Sequence, residues 1–483
     1  MNGIQRKVHF VGVGGIGMSG LAEILLNLGY EVSGSDVQPS PITTRLQRYG
    51  LKFHAGHDAS HVEDAGIIVI SAAIAADNVE IAAARGRKIP VIHRSDLLAD
   101  LMRLKPNAVV VGGTHGKTTT TSMISAFLED ANLGATTIVG GILQRSGTNA
   151  RWGTGDCLVA EADEHDGSFL RLHPTIAVVT NIDAEHLEYY GTLDSIKRAF
   201  TEFCNTVPFY GYSILCGDDP HCREILPEIE SVALTYGLGG EVSLQGVNVR
   251  RTPVSPEEPL GSQLATMKTI FDVVCHDARL APAGPLGSLE INTLGRHNVR
   301  NALGACVVGL CLGLRFSTIA EGLRQFAGVR RRLQLRGVVR GVTVMEDYAH
   351  HPTEISNTLE AVRWASDARV ICIFQPHLFS RTKFFCEDFA KALALSDLAL
   401  VTDIYPSREA PMPGVDAGMI VDAAHAAGAR HVELVRDKNA VPERLEKVLC
   451  PGDILLVLGA GDINQLVPAL IDMLKVDSGG KQT

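Results

Sequence analysis

The chain has 483 residues, which is too long for a single hydrophobic core, so two or three domains are expected. Hydrophobic residues make up 46% and charged residues 20%, as in ordinary globular proteins, and the net charge of −10 argues against nucleic acid as a partner. No apolar run approaches ~18 residues and the N-terminus leaves no room for a signal peptide, so we expect a cytoplasmic protein without a membrane partner. The ten cysteines include no C-x-x-C pair, which argues against structural zinc and a disulfide framework.

The first predicted elements surround a glycine-rich loop. A strand at Lys7–Val11 leads into Gly12-x-Gly14-x-x-Gly17, and the next strand ends at Asp36. This pattern matches the dinucleotide fingerprint, but glycines at a helix start hold any pyrophosphate, including that of a UDP-sugar. Taken alone, it leaves NAD, another nucleotide diphosphate and a merely tight turn open. A helix that ends before Pro106 places the first domain at 1–106.

The second segment opens on a phosphate-binding pattern. Residues 109–122 read VVVGGTHGKTTTTS, a β-branched strand followed by glycines, Lys117, Thr118 and a helix start. Backbone N–H groups of such a loop surround phosphates, the lysine reaches the β/γ oxygens and the threonine hydroxyl ligates Mg²⁺. A strict loop of this type needs Gly at 111, where this chain has Val111, and an ordinary strand–helix turn is the alternative. We predict ATP binding.

Two acidic runs follow later strands of the same segment. Residues 161–166 read EADEHD and residues 181–186 read NIDAEH, each after an apolar strand. Carboxylates at strand ends beside a phosphate loop are natural Mg²⁺ ligands, and a solvated acidic loop is the alternative. We expect His165 to orient a loop rather than bind metal. The stretch 237–294 predicts antiparallel β-structure, and two further helices close the second domain, 107–327.

The third segment, 328–483, alternates strands with helices and predicts βαβ units and a parallel sheet. Two polar clusters, DYAHHPTE at 347–354 and QPHLFSRT at 375–382, follow consecutive strands, which indicates a substrate site; helix capping alone is the alternative. Arg330–Arg332 forms either a solvated face or an arginine that reaches a γ-phosphate.

Taken together, these motifs resemble the Mur ligase family along essentially the whole chain. The motifs that carry the resemblance are GxGGIGMSG at 12–20, GTHGKTTT at 113–120, EADE at 161–164, GRHNxxNA at 295–302, DYAHHPTE at 347–354 and QPHxxxRT at 375–382. Val111 is then no anomaly, because the ATP loop of the family is built on GTHGKT. One departure is Leu378, where many members have arginine, so a carboxylate contact from that position is not expected.

The resemblance implies an α/β fold of three domains: a Rossmann-like UDP-binding domain, a central P-loop ATPase-type domain and a C-terminal Rossmann-like domain. It implies an enzyme of peptidoglycan synthesis that uses ATP and Mg²⁺, with Mn²⁺ as a substitute, to phosphorylate the carboxylate of UDP-N-acetylmuramate and join L-alanine to it. The expected partners are these small molecules, and the expected state is a monomer or a weak homodimer.

The resemblance also implies a role for each matching residue. Lys117, Glu161 and His186 would be catalytic, and Thr118, Glu161 and His186 would hold metal. The implied ATP contacts are Gly113, Thr114, His115, Gly116, Lys117, Thr118, Thr119, His297, Asn298, Asn301, Arg331 and Asp347. The implied UDP-substrate contacts are Gly12, Gly14, Gly15, Gly17, Ser19, Asp36 and Ser71. The implied amino-acid contacts are Tyr348, His350, His377 and Arg381.

Three alternatives remain at this point. A relative in the same family joins a recycled tripeptide to the same UDP-sugar acid, and Asp166–Leu170 favours the alanine-adding branch. An NAD-dependent oxidoreductase with an appended ATPase would need a nicotinamide site, for which the third segment offers no motif. An ATP-binding regulatory protein with a degenerate site conflicts with the retention of Lys117, Glu161 and His186.

Overall fold

The computed structural model describes residues 7–142, 147–252, 264, 267–407 and 409–475. The chain packs as two compact units. The first comprises Met1–Val247, Asp272–Leu289 and Arg300–Val329, and the second comprises Asn248–Phe271, Glu290–Val299 and Arg330–Thr483. The predicted boundaries at 106 and 327 stay predictions. Among the described residues no helix is long and apolar enough to cross a bilayer.

The first sheet is parallel, with strand order β3-β2-β1-β4-β5. Its strands are β1 Lys7–Val11, β2 Glu31–Asp36, β3 Lys52–Ala55, β4 Ile67–Ile70 and β5 Val91–His93. The helices between them are Ile16–Asn27, Pro41–Arg48, Val79–Gly86 and Arg94–Met102, with a 3-10 turn at Ala59–Val62. This order is that of a Rossmann-like half, in which ligands bind outside the carboxyl ends of β1 and its neighbours.

The second sheet has the order β15-β14-β13-β12-β11-β10-β6-β9-β7-β8. Its strands are β6 Asn107–Gly112, β7 Thr136–Ile138, β8 Ala150–Arg151, β9 Cys157–Glu161, β10 Ile176–Val179, β11 Tyr212–Cys216, β12 Val232–Gly237, β13 Leu244–Arg251, β14 Thr269–Cys275 and β15 Gly284–Ile291. The accompanying helices are Lys117–Asp130, Leu187–Tyr190, Leu193–Asn205, Pro220–Ile225, Arg296–Cys311 and Phe316–Arg324, with 3-10 turns at Ser168–Arg171 and Leu226–Glu228.

The third sheet has the order β16-β17-β21-β18-β19-β20. Its strands are β16 Gln334–Val339, β17 Val342–Asp347, β18 Val370–Phe374, β19 Leu398–Val401, β20 Val432–Leu434 and β21 Ile454–Leu458. The helices are Pro352–Ala365, Phe379–Leu393, Gly418–Ala426, Val441–Glu446 and Leu466–Lys475, with 3-10 turns at Lys438–Ala440 and Ile463–Gln465.

Three α/β sheets in chain order confirm the predicted fold class. β12 pairs with β13 in parallel. β13, β14 and β15, which lie within the stretch 237–294, are neighbours in the sheet order, and the predicted antiparallel pairing among them stays a prediction. Residues 253–263 and 265–266 of that stretch lie outside the described residues. β16 pairs with β17 antiparallel, as an edge strand joined by a tight turn at Arg340 and Gly341, both with positive φ. A hairpin needs only such a turn, whereas a parallel pair needs a crossover.

The ten cysteines are free thiols, which agrees with the prediction that no disulfide framework exists. In the first unit one continuous hydrophobic core reaches from Val8 and Phe10 of β1 to Phe200 and Phe203 of the helix Leu193–Asn205. The first sheet and part of the second are therefore packed as one body. This packing fixes the loops at the ends of β1 and β6 relative to each other.

Candidate active site

In the glycine-rich loop after β1, one glycine has a positive φ and two others lie close to side chains of other segments. Gly12 has a φ of +79°, a conformation that favours glycine. A Cβ at Gly14 would lie 2.7 Å from Asp36 Oδ2, and one at Gly17 would lie 2.8 Å from an Arg94 guanidinium nitrogen, so a side chain at Gly14 would displace the Asp36 carboxylate and one at Gly17 would displace the Arg94 guanidinium. A Cβ at Gly15 would meet nothing nearer than 3.5 Å. Gly15 precedes the helix Ile16–Asn27, whose free N–H groups suit a pyrophosphate.

Asp36 and Ser19 are placed differently from each other around this loop. The carboxylate of Asp36 accepts hydrogen bonds from Gly14 N at 2.8 Å and from Val37 N at 2.8 Å, so it holds the loop in shape. Ser19 is buried, its hydroxyl donates to the Ile16 carbonyl at 2.9 Å and its N–H donates to the Gly15 carbonyl. The predicted UDP contact of Ser19 therefore has both of its donors engaged within the helix.

The loop after β6 uses two glycines with positive φ, Gly113 at +116° and Gly116 at +84°. A Cβ at Gly113 would lie 2.2 Å from Thr180 Oγ1, and a Cβ at Gly116 would lie 2.6 Å from Asn301 Oδ1. Only glycine fits either place. Gly116 is followed at once by the helix Lys117–Asp130, so the predicted phosphate-binding arrangement of glycines, lysine and helix N-terminus is present.

Lys117 is tied into this loop by three hydrogen bonds. Its Nζ donates to the carbonyl oxygens of Gly113 at 2.6 Å and Thr114 at 3.0 Å, and to Glu164 Oε1 at 2.7 Å. Burial opposes the charged ammonium, but the carboxylates of Glu164 and Glu161 outweigh it and raise the pKa of Lys117. Burial raises the pKa of Glu164. Lys117 is therefore a fixed cation whose charge is balanced by a buried carboxyl group.

The carboxylate of Glu161 lies beside the first turn of the same helix. Thr118 Oγ1 donates to Glu161 Oε1 at 2.9 Å, and Gly140 N donates to Oε2 at 2.7 Å. Thr119 follows on the helix and is buried. The hydroxyl and carboxylate oxygens of Thr118 and Glu161 are ligands of the type that Mg²⁺ prefers.

Thr114 and His115 join the loop to the acidic run after β10. Thr114 Oγ1 accepts from Asp183 N at 2.9 Å, His115 N donates to Asn181 Oδ1 at 2.9 Å, and the His115 ring lies 3.0 Å from Asp183 Oδ2. Residues that follow β10 therefore hold the loop after β6 in place through these hydrogen bonds.

His186 lies in the second acidic run with a φ of +54°. Its Nδ1 is 3.2 Å from His165 Nδ1 and 3.5 Å from Glu188 Oε1, and the ligand atoms of these three residues all lie within 4.8 Å of one another. Burial opposes protonation of His186, but Glu188 and Glu185 outweigh it and raise its pKa. His165 thus contacts His186, the predicted metal ligand, and its expected role in orienting the loop stays a prediction.

A cavity of about 360 Å³ brings the two predicted nucleotide loops together within the first unit. That volume is typical of a small-molecule site, which spans roughly 300–1,000 Å³. Its lining includes Gly15, Gly17, Ser71, Arg94, Lys117, Glu161, Asp163 and Phe169. The start of the helix Ile16–Asn27 and the Lys117–Glu161 pair therefore face one space.

The remaining predicted ATP contacts, apart from Asn301, belong to the second unit. Asp347 at the end of β17 is buried and accepts from Leu333 N at 2.6 Å and Ala349 N at 2.7 Å, and burial raises its pKa to about 6. Arg331 has a φ of +60°, pairs with Glu346 at 2.9 Å and donates to the Gly459 carbonyl at 2.5 Å.

His297 and Asn298 also belong to the second unit, at the start of the helix Arg296–Cys311. Asn298 is buried, and its amide donates to the Leu294 carbonyl at 2.8 Å. This bond ties the Asn298 side chain to the turn that enters the helix. An adenine contact of either residue stays a prediction.

The four predicted amino-acid contacts form one cluster in the second unit. The rings of Tyr348 and His350 lie 5.2 Å apart between centroids, and those of His350 and His377 lie 5.8 Å apart. A guanidinium nitrogen of Arg381 lies 3.2 Å from His377 Nδ1 and donates to the His377 carbonyl at 3.2 Å. Leu378, with a φ of +73°, directly precedes the helix Phe379–Leu393, which carries Arg381.

Comparison with protein families covers almost the whole chain. Models described as the catalytic domain of the Mur ligase family, the Mur ligase middle domain, and the glutamate ligase domain of Mur ligases match residues 7–106, 111–309 and 331–461. The chain belongs to the Mur ligase family.

Individual Mur ligases match over their full length. The UDP-N-acetylmuramate–L-alanine ligase of Geobacter sp. (strain M21) is 46% identical over 98% of this chain and 99% of its own. The protein of the same name from Salinibacter ruber is 44% identical over 98% of this chain and 96% of its own.

Solved Mur ligase structures share the fold. The UDP-N-acetylmuramate–alanine ligase of Thermotoga maritima superimposes with a TM-score of 0.76 at 28% identity, over 96% of this chain and 98% of its own. A murein peptide ligase of Psychrobacter arcticus does so with a TM-score of 0.68 at 23% identity, over 97% of this chain and 98% of its own, which shows a common fold.

Two residues of this candidate site were not predicted from the sequence. Arg94 begins the helix Arg94–Met102, lies against Gly17 and pairs with Asp163 at 2.5 Å across the cavity wall. Glu164 balances Lys117. The EADE motif offered a signal for Glu164, because its second glutamate follows the same strand end as Glu161, whereas Arg94 carries no local signal.

Proposed function

We propose that this chain is an ATP-dependent ligase that joins L-alanine to the carboxylate of UDP-N-acetylmuramate and releases ADP and phosphate. The observation that carries the proposal is a single cavity that both predicted nucleotide loops line. Gly15 and Gly17, at the helix start suited to a pyrophosphate, line it together with Lys117 and Glu161. The full-length similarity to two UDP-N-acetylmuramate–L-alanine ligases supports the choice of substrates. The family match across the chain removes the ground for an oxidoreductase.

The chemistry explains why ATP is needed. A carboxylate does not condense with an amine, because oxide would have to leave. Transfer of the γ-phosphoryl group of ATP to a carboxylate oxygen breaks the bond to ADP and gives an acyl phosphate. The alanine amine then attacks the acyl carbon, a proton passes to solvent, and the tetrahedral intermediate expels phosphate. Catalysis is mainly positioning and neutralisation of charge.

Lys117 supplies positive charge at the β/γ-phosphates in this proposal. Its ammonium is already oriented by the Gly113 and Thr114 carbonyls, so little reordering is needed when phosphate oxygens replace Glu164 as its anionic partner. The N–H groups of Gly116 and the helix start add further donors to the phosphates.

Magnesium fits the oxygen donors of Thr118 and Glu161, which already lie within hydrogen-bond distance of each other. These two residues would hold one ion, and Glu161 and His186 would hold a second. When bound, the ions neutralise charge on the phosphate oxygens and the acyl oxygen. Glu161 is kept in place by Gly140 N, and His186 by its contacts with His165 and Glu188.

The UDP part of the substrate would bind at Gly12–Gly17, with Asp36 near the uridine and Ser71 on the cavity wall. From there the N-acetylmuramate carboxylate would extend along the cavity toward Lys117. Tyr348, His350, His377 and Arg381 of the second unit would receive L-alanine. The Arg381 guanidinium suits a carboxylate because its two parallel N–H groups form a bidentate contact.

A phosphate-release assay tests the proposal. Purified protein is mixed with ATP, Mg²⁺ and UDP-N-acetylmuramate, and L-alanine, glycine, L-serine or the murein tripeptide is added in turn. We expect phosphate release with L-alanine far above that with the tripeptide. Release only with the tripeptide would assign the chain to the recycling reaction. Phosphate release at the same rate with every acceptor and without any acceptor would contradict a ligase.

A further inference from the structure

A buried cluster of titratable side chains lies next to the glycine-rich loop, and none of its members lines the cavity described above. Its centre is Glu80, whose side chain is 0% exposed, in the first turn of the helix Val79–Gly86. We call it the Glu80 cluster; its other members are His9 of β1, Ser35 of β2, His54 of β3, and His57 and His61 of the loop that follows.

Both oxygens of Glu80 are engaged. Oε2 accepts from Ser35 Oγ at 2.7 Å and from His57 Nδ1 at 2.9 Å. Oε1 accepts from His61 Nδ1 at 2.8 Å, and His9 Nε2 lies 3.6 Å from it. An ionised carboxylate out of contact with water is costly unless it is paired in this way, so the surrounding polar side chains hold Glu80 in one position.

Ser35 connects this cluster to the loop. Its side chain is held by Glu80, while its carbonyl oxygen accepts from Gly12 N at 2.8 Å and from Val13 N at 3.0 Å. The next residue, Asp36, accepts from Gly14 N at 2.8 Å. The end of β2 is therefore fixed on one side by Glu80 and fixes the glycine-rich loop on the other.

We infer that Glu80 is a positioning residue for the UDP-substrate site, acting through Ser35 on the loop Gly12–Gly15. Hydrogen bonds to a pyrophosphate require each donor to be placed within about 0.5 Å and 10–20° of the productive geometry. A loop keeps its donors in that geometry only when neighbouring side chains hold the loop in place. The inference rests on the proposed function, because it assigns the loop to the UDP-substrate. It extends that function to a residue that touches neither nucleotide.

Two substitutions test the inference. Glu80→Gln keeps the size of the side chain and removes its charge, and Ser35→Ala removes the link while leaving the contacts of Glu80 with His57 and His61. Glu63→Gln is the matched control, because Glu63 is exposed and pairs only weakly with Arg87 at the surface. The dissociation constants of UDP-N-acetylmuramate and of ADP are measured by calorimetry for each full-length protein.

We expect both test variants to bind UDP-N-acetylmuramate at least about tenfold more weakly and ADP within about twofold of wild type. In steady state the KM for UDP-N-acetylmuramate rises, while kcat and the KM for ATP stay the same. A role confined to stability would lower the melting temperature without this split between the two nucleotides.

Unchanged UDP-N-acetylmuramate affinity in a folded Glu80→Gln protein overturns the inference, and so does equal weakening of both nucleotides. Should Glu80→Gln fail to fold, Ser35→Ala decides by the same criteria. Wild-type protein that binds ADP but not UDP-N-acetylmuramate would overturn the proposed function and the inference with it.

Discussion

The buried carboxylate of Glu80 makes the stability of the first unit depend on pH. Burial alone would raise the pKa of Glu80, but its contacts with His9, Ser35 and two further histidines outweigh burial and lower the pKa from 4.5 to about 2. Because the folded pKa lies below that of the unfolded chain, the ionised group stabilises the fold. This contribution is complete above about pH 5 and is lost as the pH falls toward 2. The difference corresponds to about 3 kcal/mol at neutral pH.

Glu80→Gln removes this contribution, and unfolding of the variant and of wild type is compared by urea titration from pH 7 to pH 3. At pH 7 we expect the first unit of the variant to be less stable by about 3 kcal/mol. The gap should narrow below pH 4.5, because Glu80 then becomes protonated in the unfolded wild-type chain while it stays ionised in the folded protein until the pH approaches 2. The titratable groups that face Glu80, namely His9, His54, His57, His61 and Asp58, are common to both proteins.

Glu63→Gln is again the control and should change stability by less than about 1 kcal/mol at every pH. A gap between wild type and Glu80→Gln that is the same at pH 7 and pH 3 would refute the reasoning, because the loss would then come from packing rather than from the charge. A gap absent at pH 7 would refute it as well.

Three further predictions concern the proposed active site. Lys117→Ala should abolish ligation but change the calorimetric affinity for UDP-N-acetylmuramate by less than about tenfold, roughly 1.4 kcal/mol, and a larger loss would mean that UDP binding itself depends on Lys117. Glu161→Gln and His186→Ala should each lower turnover in the phosphate-release assay by orders of magnitude. Near-normal turnover would mean that these residues belong to solvated acidic loops and hold no metal. Arg381→Lys should raise the KM for L-alanine strongly and leave the KM for ATP nearly unchanged, since lysine cannot reproduce a bidentate contact; an unchanged alanine KM would exclude Arg381 as the carboxylate ligand.

Local pattern predicted the loops of this site well. The strand, the glycines and the Lys-Thr pair at a helix start are adjacent in sequence, so the conformation of the loop Gly113–Lys117 followed from local residues, as did the strand and the helix on either side. The reason for Gly17 was not visible in the pattern: Gly17 lies inside the helix Ile16–Asn27 without a positive φ, and its missing side chain leaves room for the Arg94 guanidinium, which comes from a distant segment.

Contacts between distant segments could not be predicted from pattern. Arg94 and Asp163 are far apart in sequence and form an ion pair at the cavity wall, and neither local sequence indicates that the two residues are partners. The Glu80 cluster was not predicted either, because its side chains come from three strands, a loop and a helix that are distant in sequence.

The most direct test of the proposed reaction follows oxygen. UDP-N-acetylmuramate labelled with ¹⁸O in its carboxylate is incubated with the protein, ATP, Mg²⁺ and L-alanine, and the phosphate and the UDP product are analysed by mass spectrometry. An acyl-phosphate ligase transfers one labelled oxygen to each phosphate released and yields UDP-N-acetylmuramoyl-L-alanine. Unlabelled phosphate, or labelled phosphate without the alanyl product, would contradict the account.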